Sequence, residues 1–111
     1  MEILDFDMEL QALNERSTDR LLMADVCDRP AFELLLQALE AKAVELKSRP
    51  ALPKQFLSYL VGASAAITSR AEYLPDAKAA LDIASKFDLL LHLSIQGESL
   101  GDRKPGVPRV F

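Results

Sequence analysis

The sequence predicts an all-α protein, a four-helix antiparallel bundle followed by an irregular Gly/Pro-containing tail. Three observations carry that expectation. Apolar residues recur at three- and four-residue steps in four successive segments, as on one face of a helix. Pro30, Pro53 and Pro75 stand ahead of the last three segments, 23 and then 22 residues apart. Proline is tolerated in a helix's first turn, where its missing N–H would have no partner, and this spacing leaves room for rods of about 20 residues, roughly 30 Å. Only four glycines occur, three of them after residue 96, which is sparse turn chemistry for a sheet. Four amphipathic segments with short connections pack most simply as antiparallel neighbours. The expected organisation is a bundle domain over 1–97 and a tail over 98–111.

The first segment carries Ile3, Phe6, Leu10 and Leu13 at three- and four-residue steps, followed by Leu21, Leu22 and Val26, predicting helix over about 2–26. Ser17 and Thr18 can compete for backbone hydrogen bonds there, so one long helix or two shorter ones both fit. The second segment is the clearest: Phe32, Leu35, Leu36, Leu39, Ala43 and Leu46 form a stripe, with Asp28 as cap and a stop near Ser48 before Pro50. The third, about 53–73, aligns Phe56, Leu60, Ala63, Ile67 and Ala71. Gly62 opens its small-residue run Gly62-Ala63-Ser64-Ala65-Ala66, and a mid-helix glycine at a cost of about 1 kcal/mol suggests close approach of another helix. The fourth, about 75–96, aligns Ala77, Ala80, Leu81, Ala84, Phe87, Leu91 and Ile95, and Gly97 is a natural stop.

Composition narrows the function classes. Half of the 111 residues are hydrophobic but only 6% are aromatic, with no Trp, so the core must be aliphatic. The net charge of −4 is uneven: eight acids against two bases through Asp28, then nine against eleven. Nucleic acid is not the expected ligand, because phosphate binding wants clustered Lys and Arg. A basic protein surface suits the acidic first segment better than nucleic acid does, and a solvated helix face is the plainer explanation of it. A membrane-surface role is disfavoured for the same reason. The lone Cys27 cannot form an internal disulfide, and the acidic Met1–Asp7 stretch is unlike a signal peptide, so a cytoplasmic location is expected.

Catalytic chemistry is not expected. His92 is the only histidine, and nothing in its local sequence or that of Cys27 supports a nucleophile–base pair. A metal site would need three or four ligands at recognisable spacing, and a di-iron bundle uses Glu-x-x-His, whereas Leu89 stands three residues before His92. Gly62-Ala63-Ser64-Ala65-Ala66 lacks the second glycine and the strand of a nucleophile elbow. No cofactor or metal is expected.

Pro30-Ala31-Phe32-Glu33-Leu34-Leu35 resembles the start of a long helix in the small helical immunity proteins that neutralise type VI secretion effectors of NAD(P)-hydrolysing or ADP-ribosyltransferase-like activity. Leu60-Val61-Gly62-Ala63-Ser64-Ala65 is similar to a second helix of that family. Glu72-Tyr73-Leu74-Pro75-Asp76-Ala77 occupies the place of its acidic, proline-containing corner, one residue longer and less acidic. The resemblance covers roughly residues 28–91 and implies a cytoplasmic antitoxin that occludes a toxin bearing a basic or nucleotide-binding surface.

Tight inhibition rests on a few central anchors, often aromatic or Arg. Arg70 and Tyr73 have those types, with Glu72 and Asp76 beside them, and an ordinary helix terminus is the plain alternative. A second expected surface is the acidic face around Asp5 and Glu9. The competing functional expectation is a homo-oligomeric adaptor or secretion chaperone, dimerising through the small-residue face around Gly62.

Overall fold

The computed structural model of the protein describes residues 7–47 and 49–97. The described residues are all helical, without strands: α1 (Met8–Asn14), a π-helical segment (Glu15–Asp19), α2 (Arg20–Ala24), α3 (Arg29–Leu46), α4 (Lys54–Arg70), α5 (Pro75–Lys78) and α6 (Leu81–Ile95). The helical class is as expected, but the elements are less uniform than four equal rods. The expected tail, with Asp5, Ile3, Phe6 and Ser48, lies outside the described residues.

The first rod is continuous from Met8 to Ala24, since Asn14, Glu15, Asp19 and Arg20 all keep right-handed helical backbone. Asp7 caps it by accepting from the Glu9 and Leu10 N–H groups. Ser17 donates to the Leu13 carbonyl at 2.7 Å, the competition its sequence suggested, and the rod widens here to an i→i−5 bond from Arg20 N–H to the Glu15 carbonyl. Ser17, Thr18 and Leu21 turn inward, while Leu22 and Val26, expected in the core, are exposed.

The rod bends into α3 through Asp25, a C-cap residue with φ +55° in the left-handed region. Asp28 then caps α3 by accepting from Ala31 N–H, with Pro30 in the first turn as expected. α3 buries Phe32, Leu35, Leu39, Ala43 and Leu46, and Leu36 is partly buried. Phe32 meets Phe87 of α6 edge-on, with centroids 6.4 Å apart, in a core that apart from Phe56 is aliphatic and has Tyr59 partly packed against it.

α4 buries Phe56, Leu60, Ala63 and Ile67 as expected, but ends at Arg70, with Ala71 only half-buried. Gly62 faces Thr18, yet a Cβ there would meet the Thr18 methyl at 4.0 Å, an ordinary contact. The expected exclusion of larger side chains at Gly62 therefore does not hold for one methyl.

The fourth segment is not one helix. The backbone leaves helical geometry between Lys78 and Leu81, splitting α5 from α6. The break resets the apolar stripe. Ala77, Ala80, Ala84 and Phe87 are buried as expected, but Leu81 and Ile95 are exposed, and Ile83, Leu90 and Leu93 enter the core instead. Gly97, φ +77°, ends this segment as anticipated.

Polar ties mark which helix ends meet. At one end Gln55 of α4 grips the Asp7 backbone: its Oε1 accepts from Asp7 N–H at 2.7 Å and its Nε2 donates to the Asp7 carbonyl at 2.9 Å. Lys42 of α3 lies 3.4 Å from the Asp7 carboxylate. At the other end Arg29 bridges to Asp82 at 2.8 Å and donates to the Ala79 carbonyl. α3 and α6 thus begin at the same end.

Stability measurements test these local features. Gly62→Ala raises stability by about 1 kcal/mol, because the helix gains propensity and the site has room. Gly97→Ala lowers it by about 1 kcal/mol, because alanine resists positive φ; urea denaturation reads both. Burial pushes the Asp7 carboxyl upward, but the capping N–H groups of Leu10 and Glu9, with Lys42, outweigh it and hold the group below its ordinary value. Its contribution is therefore complete above the unfolded value of about 3.9 and is lost as pH falls through the lower folded value. Asp7→Asn, which keeps a capping oxygen, flattens the acid limb of stability below about pH 4 relative to the parent chain in pH-dependent urea melts.

Candidate functional site

Arg70 and Tyr73 sit where α4 ends and the chain turns towards α5. The turn is closed by Tyr73 and Leu74 N–H groups donating to the Arg70 carbonyl. Pro75 opens α5, and its φ restriction helps end the preceding turn. This geometry aims both side chains across at the α2–α3 bend. Arg70 Nη2 donates to the Leu22 carbonyl at 3.2 Å, and Nε lies 3.4 Å from Asp25 Oδ1. The latter is an ion pair without hydrogen-bond alignment, since Nε is buried and makes no hydrogen bond. Tyr73 Oη donates to the same Asp25 oxygen at 3.0 Å.

The two sequence-predicted anchors therefore do different things. Arg70 is turned inward and spends its charge on the fold, tying the C-terminus of α2 to that of α4. Its guanidinium also reaches Ser69 Oγ at 3.2 Å. Tyr73 keeps 59% of its surface exposed while its hydroxyl is engaged. Desolvation of that hydroxyl, then its bond to Asp25, raises the phenol above its ordinary range against the opposing charge of Arg70, so it remains a proton donor at neutral pH. Glu72 and Asp76 are exposed at the same corner.

Sequence reasoning missed Asp25, Leu22, Met23 and Val26. Leu22, Met23 and Val26 are exposed, Met23 to 87%, and with Tyr73 they make four of the eleven exposed large apolar side chains among the described residues. The Leu22 carbonyl and Asp25 are bonded to Arg70 and Tyr73, so the backbone segment that carries these side chains meets the end of α4 at one corner. A signal was present: Leu21-Leu22-Met23 are consecutive, and three successive helical positions span about 200° and cannot all face one core. Glu9 is exposed at the other end of the first rod, about 24 Å from Asp25 along the helix axis. The two expected surfaces are thus separate. Glu9 itself lines a shallow cleft of about 230 Å³ with Asp7, Leu10, Leu13, Ala38 and Lys42 among others.

Cys27, half-buried in the α2–α3 bend, lies in the field of the same corner. Burial first, then the charges of Asp76 and Asp28, push its thiol above the ordinary range, against the lowering effect of Arg29. His92 is exposed in the last turns of α6, about 15 Å along the axis from Asp82, the residue that meets Arg29 beside this bend. Among the described residues no group of three or more His, Cys, Asp or Glu side chains is placed to hold a metal ion. Nor is any described helix long and apolar enough to cross a membrane.

No protein-family model, curated protein or solved structure matches the chain.

The Asp25–Arg70–Tyr73 tie is expected to hold the corner with modest energy. Arg70→Ala lowers stability by about 1–2 kcal/mol, because it also strips the Leu22 carbonyl of its donor, while Tyr73→Phe costs under about 1 kcal/mol. Asp25→Gly is better tolerated than Asp25→Ala by about 1 kcal/mol, since glycine adopts the positive φ freely. Chemical denaturation of the four variants checks the order.

Proposed function

We propose that this chain is an immunity protein that binds a secreted bacterial toxin in the cytoplasm and occludes it without chemistry of its own. The observation that carries the reading is the corner where Leu22, Met23, Val26 and Tyr73 stay exposed beside Asp25, Glu72 and Asp76. Exposed apolar side chains grouped at one place mark an interaction surface more than scattered ones do. Exposed apolar residues that include an aromatic, with acids on the same segments, suit a partner surface that is apolar with basic groups. The proposed scaffold is a four-helix antiparallel bundle, with the first rod, α3, α4 and α6 as its long members. The polar ties at both ends of these helices favour a preformed surface, which limits the ordering cost of binding.

The acidic face at Glu9, with Asp5, is the second surface that such a toxin would meet. The adaptor reading, in which the chain pairs with itself, predicts a stable dimer instead.

Co-purification with a toxin domain encoded beside this gene tests the proposal. Recovery of the chain alone, as a stable dimer in size-exclusion chromatography, favours the adaptor. Tyr73→Ala with Glu72→Lys weakens toxin binding by about 30-fold, the effect of losing one central anchor worth about 2 kcal/mol. The same double variant costs the fold no more than about 1 kcal/mol, because both side chains are exposed. Unchanged affinity in calorimetry moves the site to the face around Asp5 and Glu9.

A further inference from the structure

We propose that Asp25 is the charged anchor of this corner and receives an arginine guanidinium from a basic segment of the partner, whose apolar side chains cover Leu22, Met23 and Val26. The inference rests on the corner being the partner surface.

Asp25 is held by one oxygen only. Its Oδ1 accepts from Tyr73 Oη and lies beside Arg70 Nε, while among the described residues Oδ2 has no partner. The side chain is half exposed. A carboxylate has about four acceptor positions, so this one is oriented by the fold and still able to accept. Left-handed backbone at Asp25 places it at the tip of the bend, between the exposed side chains of Met23 and Val26.

Charge selects the occupant. Asp25, Glu72 and Asp76 supply three carboxylates against Arg70, whose Nε pairs with Asp25 Oδ1 while its other nitrogens donate to the Leu22 carbonyl and Ser69. Arg20 faces Asp28 at 3.6 Å, and Arg29 is committed to Asp82 and Glu33. Lys78 is the remaining base of this stretch, two residues beyond Asp76. An incoming cation therefore completes the corner, whereas an incoming acid meets like charge. Guanidinium fits better than ammonium, since its planar fork matches a carboxylate and stacks on an aromatic ring, and the exposed Tyr73 ring adjoins Asp25.

The test titrates the full chain with acetyl-Leu-Arg-Leu-amide, with citrulline or lysine in place of arginine as comparison peptides, and follows backbone amide shifts. The arginine peptide is expected to bind in the millimolar range, to move amides of residues 22–26 and 70–76, and to bind about three- to fivefold more tightly than either comparison peptide. Asp25→Asn, which tolerates the same left-handed backbone, removes that preference while leaving the remaining spectrum in place. Equal binding of the citrulline peptide, shifts confined to the Glu9 end, or an undiminished preference in Asp25→Asn each overturn the proposal. If a co-purified toxin binds Asp25→Asn as tightly as the parent chain, only this inference fails. An arginine preference at the corner with no toxin recovered leaves the inference standing and removes the immunity reading.

Discussion

Packing of Ser17, Thr18 and Leu21 against the neighbouring helices sets which face of the first rod is buried. Ser17 takes the Leu13 carbonyl and the helix widens there, while these three side chains face the core. Two of these are hydroxyl residues, and Thr18 Oγ1 has no hydrogen-bond partner, so this stretch contributes less apolar burial than leucines would. Because successive helical residues are turned by about 100°, burying Leu21 leaves Leu22 and Met23 on the surface just where the rod bends, with Val26 following.

Two kinds of interaction hold the helices, and their sizes differ. Phe32, Phe56, Phe87 and the leucines and isoleucines around them are almost wholly buried, and each such side chain is worth about 1.5–3 kcal/mol. The ties at the ends are mostly exposed ion pairs, worth about 1 kcal/mol or less. Burial therefore holds the helices together, and the polar ties fix which ends meet. Arg29 shows the second role well: its bridge to Asp82, with the Ala79 carbonyl, locates the start of α6 against the start of α3. The hydrogen bond between them raises the guanidinium and lowers the Asp82 carboxyl, so the pair is ionised throughout the neutral range.

The corner combines both kinds. Arg70 has the residue type of an interface anchor, yet its terminal nitrogens donate to the Leu22 carbonyl and Ser69 and its charge is paired with Asp25. What it gives the surface is order: a fixed bend, an oriented Asp25, and a Tyr73 ring held by its hydroxyl. Residue type alone could not separate an arginine that reaches outward from one that reaches inward, because the difference lies in a carbonyl 48 residues away.

The sequence by itself determined the helical class, the caps and the stops. Asp28 and Pro30 start α3, Gly97 ends the last helix, and the stripes of α3 and α4 are buried nearly as their spacing requires. These features are local: a cap bonds within three residues and a stripe repeats within four, so both are written in neighbouring residues. Tertiary structure decided the remainder. The fourth segment divides at Ala79 and Ala80, and Leu81, Leu22 and Val26, which the sequence reading counts among the apolar positions, are exposed. The pairing of Asp25 with Arg70 and Tyr73, 45 and 48 residues along the chain, depends on how two helix ends meet. A periodic pattern fixes which face of a helix is apolar, but a single added residue rotates that face, and only packing against the other helices selects the rotation that persists.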